Sequence, residues 1–318
     1  MKAAVVQGPG QAPVYADFAA PTPVEGEQRI QVAAAALSQL ARARAAGKHY
    51  SSEGQFPFVP GVDGVGKLED GSRVYFLLPR APYGGFGEQT VVPAAHCAPV
   101  PDDLDDVTAA AIANPGMSSW AALVERAHLA PGETVLINGA TGASGQLAVQ
   151  IAKLLGAKKV IATGRNPAVL ASLAALGADE TIPLNADDQA LEDSFKPHFA
   201  KGVDVVLDYL WGRSAERLLI GAAKAAPKLK PIRFVQIGSL SGGAISLASE
   251  VLRSTPIEMI GSGIGSVPAS RLLASIAAVL AAARPAGLQV ATRAVPLAEI
   301  ASVWAQPEDG RRMVFTMS

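Results

Sequence analysis

The sequence predicts an α/β protein, in which a doubly wound parallel sheet is combined with a smaller β-rich domain. Three observations support this prediction. Residues 134–163 contain a β-branched run, a glycine-rich turn, an apolar helical stretch and a second β-branched run. Short strands and helices then alternate up to residue 260, which is typical of a parallel sheet with right-handed crossovers. The first hundred residues contain short β-rich runs separated by Pro and Gly.

The glycine-rich turn is the most informative local motif. Gly139, Gly142 and Gly145 are spaced three apart, after the predicted strand Thr134–Asn138 and before a helix. Glycine permits the tight turn, and the amides at a helix N-terminus favour a bound anion. This strand, turn and helix context predicts a dinucleotide diphosphate site, although a purely structural glycine turn is the alternative. The predicted contacts are Gly139, Ala140, Thr141, Gly142, Ala143, Ser144 and Gly145.

The N-terminal region is predicted to begin with irregular β-structure over residues 1–33. An Ala-rich stretch, Ala33 to Gly47, predicts a short helix that ends at the glycine. Further strands are expected at Arg73 to Leu77 and at Glu88 to Val92. This region therefore predicts a small β-rich domain.

From Val107 onward the pattern becomes helical. Two helices, Thr108–Ala113 and Met117–Arg126, are expected on either side of Asn114-Pro115-Gly116. Further along, Asn166 is a candidate N-cap, with Pro167 at the first helical position and Gly177 beyond the helix end. The remaining predicted elements are strands Glu180–Leu184, Val203–Asp208, Ile232–Ile237 and Ile257–Ile260, helices Ala215–Ala226 and Pro268–Ala283, and a return to strand, helix and strand over 289–318.

Composition and charge exclude several classes of function. The 318 residues are 49% hydrophobic and 17% charged with a net charge of −1, which does not favour binding to nucleic acid or to an anionic membrane. The apolar stretch Leu272–Ala283 is shorter than the ~20 residues that span a bilayer. Cys97 is the single cysteine, so neither an intrachain disulfide nor a multi-cysteine zinc site is expected. We therefore expect a cytoplasmic protein.

Several segments together resemble the medium-chain dehydrogenases/reductases, and most closely their zinc-independent quinone oxidoreductases. These segments are Phe58–Gly66, Gly85–Glu88 with Val91–Ala94, Asn138–Gly145 and Val203–Asp208. The resemblance implies a GroES-like β domain, split in sequence, around a Rossmann domain. The implied boundaries are 1–118 for the first part of the substrate domain, 119–264 for the NADP-binding domain and 265–318 for the return segment. The resemblance also implies a homodimer through strand Ile257–Ile260.

The chain differs from the zinc-dependent branch of that family at the metal ligands. Those relatives have Cys in the segment that here is Ser38-Gln39-Leu40, and His-Glu where this chain has Val62-Asp63. A valine cannot bind a metal. The four histidines, at positions 49, 96, 128 and 198, have no partner at metal-ligand spacing. We therefore predict no metal site.

The residues after the second strand of the βαβ unit indicate which nicotinamide cofactor is bound. An acidic residue about 20 positions beyond the glycines would bind a free ribose 2′-hydroxyl. This sequence has Gly164-Arg165-Asn166 there and no acid, and a guanidinium suits a 2′-phosphate. We therefore predict NADPH, while a solvated arginine beside a helix start is the alternative for Arg165.

Further cofactor contacts are expected at the carboxyl ends of later strands, where ligands of such sheets bind. Gly238-Ser239 and Ser262-Gly263 are small enough for a nicotinamide ring to approach. Asp208 ends another strand and is either at the site edge or a helix N-cap. The resemblance adds Asn114 and Ser118, from a segment that contacts nicotinamide and ribose in the family, although Asn114-Pro115-Gly116 is alternatively only a turn.

The resemblance implies hydride transfer to a quinone or an α,β-unsaturated carbonyl. Negative charge develops on the carbonyl oxygen, so a hydrogen-bond donor is needed there. Tyr50 is the first candidate, because quinone-reductase relatives have a tyrosine in this region, and a non-catalytic loop tyrosine is the alternative. Ser38 stands where relatives often have Asn. Competing functions are an alcohol or aldehyde reductase, and a non-catalytic NADPH-binding protein.

Overall fold

The computed structural model describes residues 1–47, 55–306 and 310–317. The chain forms two compact units. Unit 1 combines Met1–Asn114 with Ile276–Ser318, and unit 2 is Pro115–Ser275. The candidate catalytic residue Tyr50 lies outside the described residues.

Strands and helices alternate along the chain from Thr134 onward. The strands are β1 (Lys2–Val5), β2 (Val14–Asp17), β3 (Glu27–Ala36), β4 (Asp63–Lys67), β5 (Arg73–Leu77), β6 (Gln89–Pro93), β7 (Cys97–Pro99), β8 (Thr134–Asn138), β9 (Lys159–Gly164), β10 (Glu180–Pro183), β11 (Val205–Asp208), β12 (Ile232–Gln236), β13 (Ile257–Gly261), β14 (Thr292–Pro296) and β15 (Arg312–Thr316). The helices are α1 (Gln39–Ala45), α2 (Asp106–Ala121), α3 (Ala143–Leu154), α4 (Pro167–Ser172), α5 (Asp188–Lys201), α6 (Gly212–Ala225), α7 (Ser249–Ser254), α8 (Ala269–Ala282) and α9 (Ile300–Val303). Within the described ranges, none of the helices has both the length and the apolar character needed to cross a bilayer.

Unit 2 contains a six-stranded sheet in the order β10-β9-β8-β11-β12-β13. Every neighbouring pair is parallel. The chain starts in the middle of the sheet with β8, moves outward through β9 and β10, and then returns to the other side of β8 with β11. The carboxyl ends of β8 and β11 are therefore adjacent, with Asn138 paired to Asp208. This doubly wound parallel sheet confirms the predicted fold class.

Unit 1 is built around a seven-stranded sheet in the order β14-β15-β3-β4-β5-β7, with β6 also paired to β3. The C-terminal strand β15 pairs antiparallel with β3, and Val314 lies opposite Ala36. β1 and β2 form a separate two-stranded sheet. Fully buried aromatic rings, among them Phe76, Phe86 and Phe315, fill the interior. The last strands of the chain thus complete the sheet that the first strands begin.

The helix expected over Ala33 to Gly47 was wrong in its first part. Residues up to Ala36 continue β3, which pairs with β4, β6 and β15. At this end of β3 the partners are β4 and β15, and these two pairings override the strong intrinsic helix preference of alanine. The helix α1 begins only at Gln39, where the Ser38 hydroxyl accepts a hydrogen bond from the Ala41 amide.

The break expected at Asn114-Pro115-Gly116 was also wrong. Helix α2 continues through Pro115 and is followed by a π-helical turn, Ala122–Arg126. A proline removes one helical amide donor, which bends or weakens a helix without always ending it. Here the Ser119 hydroxyl donates to the Pro115 carbonyl oxygen at 3.1 Å, which adds a side-chain contact at this turn.

Candidate cofactor and substrate sites

The glycine turn between β8 and α3 requires glycine at two positions. Gly139 has a φ of +93°, which disfavours any other residue. A Cβ on Gly145 would lie 2.4 Å from the Gly139 carbonyl oxygen and 2.5 Å from Ala140 Cα. The first turn of α3 therefore packs directly against the backbone that leaves β8.

Gly142 differs from these two glycines because its surroundings are open. It precedes α3 with an extended backbone, φ −81° and ψ 166°, and no side chain caps the helix. A Cβ built there would have no heavy atom within 4 Å. The turn therefore leaves the first backbone amides of α3 without a side-chain cap, at the positive end of a helix and beside open space, and this donor set fits a diphosphate.

A buried polar network lies beneath the turn. Thr163 Oγ1 accepts a hydrogen bond from the Gly139 amide at 3.2 Å and donates to Asn138 Oδ1 at 2.9 Å. Asn138 Nδ2 donates to Asp208 Oδ1 at 2.8 Å and to Ser214 Oγ at 2.9 Å. Asn138, Thr163 and Asp208 are fully buried. The network joins the ends of three neighbouring strands and so fixes the position of Gly139. Sequence reasoning missed both Asn138, whose only signal was a polar residue at the end of an apolar strand, and Ser214, which lies in the first turn of α6.

Asp208 is enclosed by donors rather than facing solvent. Its Oδ1 accepts hydrogen bonds from the Leu210 amide at 3.0 Å and from the Trp211 amide at 3.1 Å. Burial raises the pKa of this carboxyl, and the hydrogen bonds from Trp211, Leu210 and Asn138 oppose that rise. The side chain thus holds the turn into α6, in which Trp211 has the unusual φ of +56°.

The turn after β9 presents the predicted 2′-phosphate residues. Arg165 and Asn166 are exposed, whereas Gly164 is buried. The Asn166 side chain caps α4 by accepting hydrogen bonds from the Ala168 and Val169 amides. Asn185 Nδ2 donates to the Arg165 carbonyl oxygen at 2.7 Å, which ties this turn to the segment after β10.

The residues after β12 and β13 are small, and they differ in how closely they are packed. A Cβ on Gly238 would lie 2.6 Å from the Tyr209 carbonyl oxygen, whereas one on Gly263 would meet nothing within 4 Å. Ser239 is exposed. Ser262 is nearly buried, and its amide donates to the Gln236 carbonyl oxygen at 2.9 Å.

Two serines on α2 lie near the start of α3. The Ser118 hydroxyl donates to the Pro115 carbonyl oxygen at 2.9 Å. Ser119, which sequence reasoning missed, has its Oγ 2.9 Å from the Ser144 carbonyl oxygen and 2.8 Å from the Tyr209 hydroxyl. Burial raises the pKa of Tyr209. The tyrosine therefore stays protonated, and the serine connects it to the glycine turn.

In unit 1, the predicted residues Ser38 and Asn114 lie in different surroundings. Ser38 is nearly buried at the start of α1. Asn114 Nδ2 donates to Asp63 Oδ1 at 3.2 Å, and the Tyr75 hydroxyl donates to Asp63 Oδ2 at 2.7 Å. Burial raises the pKa of Asp63, and the positive charge of Arg312 opposes this rise. The side-chain amide of Asn114 therefore already donates a hydrogen bond to a buried carboxyl within unit 1.

Unit 1 also contains a cavity of about 340 Å³. Its walls are mostly apolar and include aromatic rings, with one arginine. The lining includes Arg44, Phe56, Phe58, Val62, Pro82 and Tyr83. Sequence reasoning did not identify this set, because its members are scattered from Pro9 to Tyr83 and share no spacing.

Metal coordination has no visible basis in the part of the chain that the structure describes. No group of three or more His, Cys, Asp or Glu side chains there is arranged to hold a metal ion. The predicted absence of a metal remains a prediction.

The parallel sheet with a glycine turn after its first strand is typical of the dinucleotide-binding units of oxidoreductases. Comparisons with known proteins support this class. Residues 143–278 match the family model described as "Zinc-binding dehydrogenase". The chain is 30% identical over 345 residues to the "Probable NADPH-dependent quinone reductase tdiC" of Emericella nidulans, covering 95% of this chain and 96% of that protein.

Solved structures agree with this relationship. The quinone oxidoreductase of Thermus thermophilus, which was also solved in complex with NADPH, is 27% identical, covers 99% of this chain and 100% of its own, and has a TM-score of 0.82. The structure of an NAD-dependent alcohol dehydrogenase is 26% identical over the full length of both chains, with a TM-score of 0.81. The chain belongs to the medium-chain dehydrogenase/reductase family and is similar to its quinone oxidoreductases.

Proposed function

We propose that the protein is an NADPH-dependent reductase that transfers a hydride, without a metal, to a quinone or an α,β-unsaturated carbonyl. The observation that carries this proposal is the open, uncapped glycine turn at Gly142, followed by a basic residue at the next strand end. The NADPH-dependent quinone reductase similar to this chain supports it.

The predicted cofactor contacts have the following proposed roles. The backbone from Gly139 to Gly145 binds the diphosphate, and Arg165 binds the 2′-phosphate with Gly164 and Asn166 shaping its turn. Asp208 is proposed to act by holding its turn rather than by direct contact. The remaining proposed contacts, near nicotinamide and ribose, are Asn114, Ser118, Gly238, Ser239, Ser262 and Gly263.

When bound, NADPH supplies the hydride. A quinone that accepts this hydride and one proton becomes a hydroquinone, so the reaction needs a group that stabilises negative charge on the carbonyl oxygen. We propose Tyr50 as that hydrogen-bond donor and Ser38 as an orienting hydroxyl at the start of α1. If the variant Tyr50→Phe keeps the wild-type kcat with a reactive enone, then Tyr50 has no part in the mechanism.

The arginine assignment is tested by measuring KM for NADPH and for NADH in the variant Arg165→Ala. We expect the preference for NADPH to fall about tenfold or more, because one charge-assisted contact to phosphate is lost. Arg271→Ala is the matched control, since Arg271 is an exposed unit 2 arginine that pairs with Glu125. If the ratio of KM for NADPH to KM for NADH is the same in Arg165→Ala as in the wild type, the assignment of Arg165 is wrong.

An alcohol or aldehyde reductase is the second candidate, and the NAD-dependent alcohol dehydrogenase of similar structure favours it. Steady-state NADPH oxidation with quinones, enones and aldehydes separates the two. Turnover of aldehydes alone would replace the leading proposal. Binding of NADPH without turnover of any of these compounds would indicate a non-catalytic NADPH-binding protein.

We also propose the domain roles and the assembly that the resemblance implies. The first segment, 1–118, and the return segment, 265–318, form the substrate domain, and 119–264 binds the cofactor. Strand β13 is an edge strand with Met259 40% exposed, which supports a homodimer through Ile257–Ile260. Sedimentation velocity on the wild type and Met259→Lys tests this, and a monomeric wild type would reject it.

A further inference from the structure

Tyr209 connects the two ends of the glycine turn. It directly follows β11, and its backbone amide donates a hydrogen bond to the Asn138 carbonyl oxygen at 3.0 Å, immediately before the turn begins. Its hydroxyl lies 2.8 Å from Ser119 Oγ, which in turn lies 2.9 Å from the carbonyl oxygen of Ser144 in the first turn of α3. One residue therefore supports the turn at the end of β8 through its backbone and at the start of α3 through its side chain.

The number of available protons gives this hydrogen-bond chain its direction. The Ser119 hydroxyl has a single proton and lies near two carbonyl oxygens, that of Pro115 at 3.1 Å and that of Ser144 at 2.9 Å. If Ser119 donated to Tyr209, both carbonyl oxygens would face a lone pair of Ser119, because a carbonyl oxygen only accepts. Burial raises the pKa of Tyr209, so its hydroxyl keeps a proton to donate at neutral pH. The chain therefore runs from Tyr209 through Ser119 to α3.

The bond from Ser119 to α3 differs from the usual bond of a helical serine. Such a serine often donates to the carbonyl oxygen four residues earlier, which for Ser119 is that of Pro115. Ser275, buried in α8, has this ordinary arrangement, with its Oγ 2.9 Å from the Arg271 carbonyl oxygen. A hydrogen bond from Tyr209 restricts the rotation of the Ser119 hydroxyl. Without that bond, the Ser119 proton can settle on Pro115 alone and release α3.

The supported turn carries the donors proposed for the diphosphate. The first amides of α3 have no side-chain cap, and the space beside Gly142 is open. The Ser144 carbonyl and the Gly145 amide belong to one planar peptide unit, so a bond that fixes the carbonyl also fixes the direction of the amide. Donors that are already oriented bind an anion at a smaller entropic cost.

We propose that Tyr209 is a positioning residue for the cofactor diphosphate, and that it acts through Ser119 on the peptide unit between Ser144 and Gly145. The proposal rests on the proposed binding of NADPH at this turn. Because the chain ends at α3, removing either hydroxyl should weaken binding of the diphosphate and leave the proposed 2′-phosphate contact with Arg165 unchanged.

The test compares NADPH with adenosine 2′-phosphate, which lacks the diphosphate. Calorimetry gives the Kd of both for the wild type, Tyr209→Phe, Ser119→Ala and the double variant. The control is Ser275→Ala, which removes a buried serine hydroxyl of unit 2 that bonds within its own helix. We expect the Kd of NADPH to rise about fivefold in each single variant and the Kd of adenosine 2′-phosphate to change less than about twofold. The double variant should bind NADPH as the single variants do, because both substitutions break one chain.

An unchanged Kd of NADPH in either single variant, or equal weakening of both ligands, would overturn the proposal. An equal effect of Ser275→Ala would also overturn it, since any lost serine hydroxyl would then act alike. If Tyr209→Phe does not fold, Ser119→Ala decides by the same criterion. A wild type that binds NADPH but reduces no quinone, enone or aldehyde would refute the reductase function and leave this proposal to the Kd values. A wild type that does not bind NADPH would overturn both.

Discussion

The glycine turn of unit 2 and the cavity of unit 1 are built in opposite ways. The turn presents backbone, and the side chains of Asn138, Thr163 and Asp208 are turned inward to bond with each other. The cavity presents side chains, mainly aromatic and proline rings with Arg44, while its backbone is paired behind them. The first surface therefore suits a diphosphate, a group that many cofactors share. At the second surface, the substitution of a single side chain would change which ligand fits.

The largest expected effect is a loss of stability when Gly145 of the glycine turn is replaced. In Gly145→Ala the new Cβ meets backbone atoms at 2.4 and 2.5 Å, which no side-chain movement relieves. We expect a loss of about 3 kcal/mol in the free energy of unfolding, or a Tm lower by roughly 10 °C. Differential scanning calorimetry measures this. A Tm within about 2 °C of the wild type would contradict this prediction, because it would show that α3 can shift away from the end of β8 at little cost.

The next prediction concerns Gly142, which serves as the matched control for Gly145. In Gly142→Ala the Cβ meets no atom within 4 Å and the backbone conformation suits alanine, so the Tm should be unchanged. The methyl group enters the space proposed for the diphosphate, and we expect the Kd for NADPH to rise about tenfold. Titration calorimetry measures the Kd. An unchanged Kd would move the diphosphate away from this turn.

The same contrast explains how much the sequence could predict. The glycine spacing, the parallel sheet and the Asn166 cap with Pro167 and Gly177 follow from local chemistry, and the fold class and the cap were confirmed. The strand at Ala33–Ala36 was missed because its partners come from distant parts of the chain. The cavity was missed for the same reason, since tertiary structure alone brings Arg44 and Tyr83 to one space.

The smallest predicted effect concerns Asp63, the buried carboxyl of unit 1. Burial raises its pKa above the ordinary value of 3.8, against the charge of Arg312 and the hydrogen bonds from Tyr75 and Asn114. As the pH rises above 3.8, the unfolded chain loses this proton before the folded chain does, so stability falls until the raised pKa is passed. Each pKa unit by which burial raises this value corresponds to about 1.4 kcal/mol in the free energy of unfolding.

Urea unfolding of the wild type and Asp63→Asn between about pH 4 and 8 isolates this contribution. The variant also loses acceptor capacity toward Tyr75, but that loss is independent of pH. We therefore expect the stability of the wild type relative to the variant to decline with pH and then level off. A constant difference would mean that the pKa of Asp63 is not raised. A difference that increases with pH would mean that the charge of Arg312 outweighs burial, and unit 1 would then hold an ion pair where unit 2 holds a network anchored on backbone amides.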